Sequence, residues 1–139
     1  MLPRMARILV VANRTAESPE LLDAMRAKGA EHDYVLVVPA SGGALEKAAD
    51  PDAAREHTQP HLDAALQKMR AEGFKVEGTV GDTDPAAAVQ DAANFDHFDE
   101  IIISTLPLHL SKWIKLDLPS KAHRATGLPV THIETKQQD

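Results

Sequence analysis

Five short apolar runs, separated by longer segments with helical spacing, dominate the pattern of hydrophobic and polar positions along the chain. The runs cover residues 7–12, 34–38, 75–80, 100–104 and 129–133. The first, second and fourth runs are almost continuously apolar and rich in Val and Ile, which is typical of strands covered on both faces in a parallel sheet. The third run alternates between apolar and polar positions, which places it nearer a sheet edge.

Helix signals lie between these runs. Three dipeptides place a capping side chain directly before a proline, which predicts a helix start; they are Ser18-Pro19, Asp50-Pro51 and Asp84-Pro85. Apolar spacing predicts helices over 19–28, 54–69 and 85–94, and a last helix between 112 and 126. Pro60 predicts a kink rather than a break, because the apolar stripe continues across it. The segment 40–49, with Gly42-Gly43, is the longest predicted loop.

The alternation of strands and helices predicts an α/β fold: a parallel sheet with helices on both faces and right-handed crossovers. A length of 139 residues suits one domain, and the sequence shows neither a repeat nor a linker. We therefore expect one domain over 1–139. The polar residues from Glu134 to Asp139 are expected to fray.

Composition excludes several classes of protein. The chain has no cysteine, which excludes disulfides, thiol nucleophiles and thiolate metal sites. A net charge of −6 argues against a general nucleic-acid partner, which requires a basic face. No apolar run approaches the ~18 residues of a membrane span, and no apolar stretch suited to a signal peptide follows the basic start. We expect a cytoplasmic protein without a membrane partner.

The loops that leave the carboxyl ends of the strands are the place to expect a ligand, because open parallel sheets bind ligands where the strand order reverses. Asn13 offers donors and an acceptor without charge, and Gly81 leaves room for a close backbone approach. The predicted ligand-binding residues are Asn13, Thr15, Val38, Gly81, Ser104, Thr105, Ser111 and Lys112. A solvated loop cluster without a ligand is the alternative.

Several segments together resemble the universal stress protein family over nearly the whole chain. They are ILVVANRT (8–15), VVPA (37–40), GDTDPAAAV (81–89), DEIIIST (99–105) and TGLPVTHI (126–133). The resemblance implies a Rossmann-like three-layer α/β/α sandwich with a five-stranded parallel sheet in the order 3-2-1-4-5. It also implies a homodimer, often paired through the last strand, and ATP binding in some members.

The chain departs from the ATP-binding pattern of that family at the first strand and after the fourth. The family's aspartate at the end of strand one matches Asn13, and its Gly-Ser pair matches Arg14-Thr15. The glycine-rich phosphate motif, G-x-x-G followed after nine residues by G-S/T, matches positions without glycine. These positions are Ser104, Pro107, Asp117 and Leu118, and residues 104–126 contain no glycine at all.

These departures predict weak or absent ATP binding. Glycine loops let backbone N–H groups approach a phosphate, and Pro107 has no N–H. Asp117 is expected to cap the helix that begins at Leu118, and its carboxylate would repel an anion. Lys112 compensates only as a point charge. No cofactor is therefore expected, with ATP or AMP as the candidates if one binds.

Other constellations favour structural interpretations. His57 and His61 have a metal-compatible spacing, but no third ligand is evident and Pro60 lies between them, so they are interpreted as surface or half-buried histidines. Ser104, His109 and Asp117 could be assembled into a triad, yet no G-x-S-x-G elbow is present. Asp82 and Asp84 are interpreted as a loop residue and a helix cap, and Trp113 as packing.

Three functions remain open from the sequence. The favoured one is a non-enzymatic binding or signalling protein of the stress-protein type, with a small ligand or nucleotide in the strand-end cleft. The second is a structural or interaction dimer whose cleft is closed by the apolar loop 106–110. The third is a nucleotide-processing enzyme, which lacks a convincing acid, base or nucleophile set.

Overall fold

A five-stranded parallel sheet with the order β3-β2-β1-β4-β5 forms the centre of the protein. The computed structural model describes residues 5–40, 51–107 and 111–136. The strands are β1 (Arg7–Val11), β2 (Asp33–Pro39), β3 (Lys75–Gly81), β4 (Glu100–Thr105) and β5 (Val130–Glu134). The helices are α1 (Pro19–Lys28), α2 (Pro51–Ala71), α3 (Pro85–Phe95), α4 (Lys112–Lys115) and α5 (Leu118–Thr126). The α/β class and the strand order are confirmed.

The register fixes β1 as the centre of the sheet and β3 and β5 as its edges. Ile8 of β1 lies opposite Tyr34 of β2 on one side and Glu100 of β4 on the other. The alternating pattern of the third apolar run correctly predicted an edge strand. Among the described residues, no helix is both long enough and apolar enough to cross a membrane.

Each face of the sheet buries its own apolar cluster. Alternate residues of β1 point to opposite faces: Ile8 and Val10 pack with α1 and α2, whereas Leu9 and Val11 pack with α3 and α5. The predicted inward stripe of the second helix is buried in full; it comprises Ala54, Thr58, Leu62, Ala65, Leu66 and Met69. Coverage of both faces explains why the central strands are continuously apolar.

Two of the predicted helix starts are confirmed by their hydrogen bonds. The Leu21 N–H donates to Ser18 Oγ over 3.1 Å, and the Ala86 N–H donates to Asp84 Oδ1 over 3.1 Å. The helix α2 continues through Pro60 without a break. Asp50 and residues 41–49 of the predicted loop lie outside the described residues.

The last crossover differs from the prediction, because it contains two helices. Asp117 separates α4 from α5 in the left-handed region, with φ 58° and ψ 44°. The prediction that its carboxylate caps α5 is wrong, since that side chain makes no capping hydrogen bond. A capping side chain reaches the free N–H groups from an extended backbone, which Asp117 does not have.

The expectation of a frayed tail from Glu134 is wrong for residues 134–136. Glu134 is part of β5, and Thr135 is 6% exposed. The Thr135 N–H donates to the Thr105 carbonyl over 2.8 Å, and its Oγ1 donates to Ser18 Oγ over 2.8 Å. Residues 137–139 lie outside the described residues.

Candidate functional site

Two consecutive turns shape the loop that follows β1. The Ala16 N–H donates to the Asn13 carbonyl over 3.3 Å, and the Ser18 N–H donates to the Thr15 carbonyl over 3.0 Å. Thr15 is buried, and its Oγ1 lies 2.6 Å from Ser104 Oγ at the end of β4. This hydrogen bond joins the exits of the two neighbouring strands and satisfies both buried hydroxyl groups.

Two other predicted residues near the end of β4, Thr105 and Ser111, also have partners of their own. Thr105 is 2% exposed, and its Oγ1 lies 2.7 Å from His132 Nε2 on β5. Ser111 Oγ accepts a hydrogen bond from the Ile114 N–H over 3.3 Å, which caps α4. Lys112 is exposed at the start of that helix. His109 of the hypothetical triad lies outside the described residues.

Packing accounts for Val38 and Gly81 at the ends of β2 and β3. Val38 is fully buried in the core. A Cβ atom at Gly81 would lie 2.8 Å from Val37 Cγ1 and 2.9 Å from Ala88 Cβ. Gly81 therefore lets α3 approach the sheet closely.

A cavity of about 180 Å³ lies between the loop after β1 and the helix α2. Its lining residues are Asn13, Arg14, His57, Thr58 and His61. Asn13 is the member of this lining that the sequence predicted as a ligand-binding residue. Because His57 and His61 are four residues apart, they lie on one face of α2. Their interpretation as surface and half-buried side chains agrees with the structure, but both also border the cavity.

Hydrogen bonds hold the walls of this cavity in place. His61 Nε2 lies 2.5 Å from the Asn13 carbonyl oxygen. A carbonyl oxygen can only accept, so Nε2 carries the hydrogen and the imidazole ties α2 to the loop. Thr58 is 3% exposed, and its Oγ1 donates to the Ala54 carbonyl over 2.8 Å. The exposed side chains of Arg14 and His57 complete the lining.

The lining of the cavity is electrostatically one-sided. It contains the permanent positive charge of Arg14 and no carboxylate, whereas the whole chain carries a net charge of −6. The His57 imidazole adds an N–H group that can donate a hydrogen bond, whereas the Nε2–H of His61 is already donated to the Asn13 carbonyl. Within the described part of the chain, no cluster of three or more His, Asp or Glu residues could hold a metal ion. This arrangement suits an anionic or strongly hydrogen-bonding ligand.

Sequence reasoning missed His57, Thr58 and His61 as neighbours of Asn13, although the topology contains the signal. A helix that follows a parallel strand begins at the carboxyl edge of the sheet. The first turns of α2, which follows β2, therefore lie near the exit of the adjacent β1. Their distance of over 40 residues from Asn13 along the chain concealed this proximity.

Nearly the whole chain is similar to solved structures of universal stress proteins. The universal stress protein from Archaeoglobus fulgidus in complex with dAMP has 17% identity and a TM-score of 0.62, and the match covers 94% of this chain and 98% of that chain. The universal stress protein family protein from Arabidopsis thaliana with AMP bound has 12% identity and a TM-score of 0.57, covering 94% and 92%. A universal stress protein in complex with cAMP has 15% identity and a TM-score of 0.52, covering 95% and 99%.

No family model matches the chain, and no curated protein matches it either. Identities of 12–17% over nearly the full length of both chains demonstrate a common fold. The chain has the fold of universal stress proteins, as the resemblance of its segments predicted.

Proposed function

We propose that this chain is a divergent universal stress protein, formed as one domain over 1–139, and that it acts as a non-enzymatic binding protein for a small adenine nucleotide. The observation that carries the proposal is the cavity beside Asn13, at the carboxyl end of the central strand. That edge of an open parallel sheet is where ligands bind. Proteins of the same fold have been solved with dAMP, AMP and cAMP.

The surroundings of the cavity favour binding over catalysis. The Thr58 hydroxyl donates its hydrogen to the Ala54 carbonyl, and Thr15 is hydrogen-bonded to Ser104. The hydroxyl–imidazole contact of Thr105 with His132 on β5 is no nucleophile–base pair, because Thr105 is too deeply buried to meet a substrate. A nucleophile must be accessible to the reacting atom as well as close to its base.

The chain's preference is expected to fall on a mononucleotide rather than on ATP. Residues 104–126 supply no glycine for a phosphate-binding loop, and Pro107 offers no N–H. Although Asp117 does not cap α5, its carboxylate is exposed within this segment and would repel a phosphate group. A triphosphate would therefore lack the backbone amides that usually hold it.

The proposal also includes a homodimer paired through β5, which rests on the family resemblance. It includes a cytoplasmic location, which rests on the composition. A second candidate function is a structural or interaction dimer with a closed cleft. The hydrogen bond between Thr15 and Ser104 favours that candidate, since it joins the exits of β1 and β4, where a crevice would otherwise open.

Thermal denaturation with added nucleotides separates the two candidates. AMP at 100 times its dissociation constant should stabilise the protein by about 2.7 kcal/mol, which corresponds to a rise in melting temperature of roughly 10 °C for a chain of this size. ATP should produce a smaller rise. The variant Asn13→Ala should lose most of the AMP effect, whereas Asn94→Ala, an exposed position on α3, should keep it. If AMP, cAMP and adenosine all leave the melting temperature unchanged, the closed-cleft dimer is the better assignment.

A further inference from the structure

We propose that the cavity between the β1 exit and α2 is an anion site that holds the phosphate of a nucleoside monophosphate through Arg14 and His57, on a loop that His61 fixes in place. The nucleoside part of this inference rests on the proposed function. The preference for a phosphate group rests on the cavity alone, so the two parts can fail separately.

The charge of Arg14 is the first reason to expect an anion in this cavity. The guanidinium of Arg14 makes no ion pair within 5–40, 51–107 or 111–136, whereas those of Arg7 and Arg26 pair with carboxylates. None of the five lining residues is acidic. A cation at the wall of a cavity that has no counter-ion in the described parts of the chain can attract an anion, and a guanidinium binds phosphate oxygens through two parallel N–H groups.

The fixed position of the loop after β1 is the second reason. The two turns after β1 and the hydrogen bond from His61 to the Asn13 carbonyl fix the backbone that bears Arg14. His57 lies one helical turn before His61 on the same side of the cavity. Because this backbone is already fixed, less conformational entropy is lost when an anion orders the Arg14 side chain.

The volume of the cavity is the third reason, because it limits how much of a ligand fits inside. A volume of about 180 Å³ is below the ~300–1,000 Å³ of pockets that enclose a drug-sized ligand. This volume has room for a phosphate and its nearest atoms but not for a whole nucleotide, so the base would lie outside it along the carboxyl edge of the sheet. Side-chain donors from the β1 loop and α2 take the place of the backbone amides that a glycine-rich loop after β4 would supply.

Inorganic phosphate tests the anion site directly. A ¹H–¹⁵N titration with phosphate, compared with chloride at equal ionic strength, should give saturable shifts at 13–15 and at His57 and His61. Arg14→Gln should weaken this binding roughly tenfold or more, as expected for lost charge-assisted hydrogen bonds. Arg124→Gln removes an exposed charge at the end of α5 and should leave the binding unchanged. Shifts that do not saturate, or that are equal in Arg14→Gln and the parent protein, overturn the inference.

Calorimetry with AMP and adenosine tests the nucleoside part. AMP should bind at least about tenfold more tightly than adenosine, and Arg14→Gln should abolish this difference without changing adenosine binding. Equal affinities for AMP and adenosine overturn the phosphate assignment and leave the proposed function standing. Saturable phosphate binding without binding of any nucleoside overturns the proposed function and reduces the site to one for a smaller anion.

Discussion

Tyr34, the one tyrosine of the chain, shows how much a single buried polar group contributes to this fold. It is 1% exposed on β2, and its hydroxyl group lies 2.9 Å from the Met25 carbonyl and 2.8 Å from the Gly29 carbonyl. Its ring meets that of Phe74 edge to face. The hydroxyl therefore holds the end of α1 against the sheet.

Burial, together with the charges of Glu31 and Glu100, raises the pKa of Tyr34 from 10.0 to about 12. The folded protein keeps the proton where the unfolded chain has already lost it. The contribution of protonated Tyr34 to the free energy of unfolding is complete below pH 10. It falls by roughly 2–3 kcal/mol as the pH rises from about 10 to about 12. Tyrosinate absorbance should show a midpoint near 12 in the native protein and near 10 in denaturant, with no signal from other residues. A native midpoint near 10 contradicts the assignment.

The variant Tyr34→Phe removes the hydroxyl and keeps the ring. We expect it to lower the free energy of unfolding at pH 7 by about 1–2 kcal/mol, because the carbonyls of Met25 and Gly29 lose a donor. This difference from the parent protein should shrink and then reverse sign between pH 10 and 12, because the parent there loses roughly 2–3 kcal/mol that the variant does not lose. Urea unfolding at several pH values measures both effects, and the subtraction removes the titration of lysines. A difference that stays constant with pH contradicts the explanation.

At the scale of elements, features that depend on neighbouring residues could be predicted from the sequence, whereas contacts between distant segments could not. The side chains of Ser18 and Asp84 cap their helices because a cap needs only its own neighbours along the chain. The strands follow equally well from their apolar runs, whereas their order came from the family resemblance. The burial of Thr135 could not be predicted, because it depends on Ser18 and Thr105, which are remote in sequence.

The residues of the candidate site also separate into one that the sequence could predict and others that it could not. Asn13 follows from its place at the end of the central strand, whereas the approach of His57 and His61 depends on how α2 lies across the β1 exit. The sequence also cannot show that Thr15 and Ser104 satisfy each other's hydroxyl groups. Residue types alone do not distinguish a hydroxyl that contacts a ligand from one that joins two strands.

The junction between α4 and α5 provides a test at the level of an element. Asp117 has a positive φ of 58°, a conformation that costs a non-glycine residue free energy. Asp117→Gly should raise the free energy of unfolding by up to about 1 kcal/mol, whereas Asp117→Ala should lower it by about 1 kcal/mol. Chemical denaturation of the three proteins gives the order Gly, Asp, Ala from most to least stable. If the carboxylate stabilised α5 as a cap, glycine and alanine would both destabilise the protein.

At the scale of the whole molecule, the two edges of the sheet are protected to different degrees. At the β3 edge, Arg70 donates to the outward-facing Val76 carbonyl from Nε over 3.0 Å and from Nη2 over 2.8 Å. Lys75 and Glu77 are exposed on that strand. Charged side chains and covered carbonyls discourage edge pairing, so β5 is the edge that favours a second copy of the chain.

The direction of the backbone groups on β5 identifies which of them a partner would use. The Pro129 carbonyl accepts from the Ile101 N–H, and the Thr135 N–H donates to the Thr105 carbonyl, so residues 129 and 135 face β4. Because backbone groups alternate along a strand, those of Val130, His132 and Glu134 face away from β4. His132 lies at the middle of this outward row.

We therefore expect the protein to form a homodimer through β5 and His132→Pro to break it. Proline removes the outward N–H at the centre of the edge and leaves the hydrogen bonds to β4 intact. His132→Ala is the matched control, because it loses the same contact with Thr105 but keeps the N–H. Sedimentation at micromolar concentration should give twice the chain mass of 15.1 kDa for the parent protein and for His132→Ala, and the chain mass for His132→Pro. A monomeric parent protein, or a His132→Pro variant that dimerises as tightly as His132→Ala, rules out association through this edge.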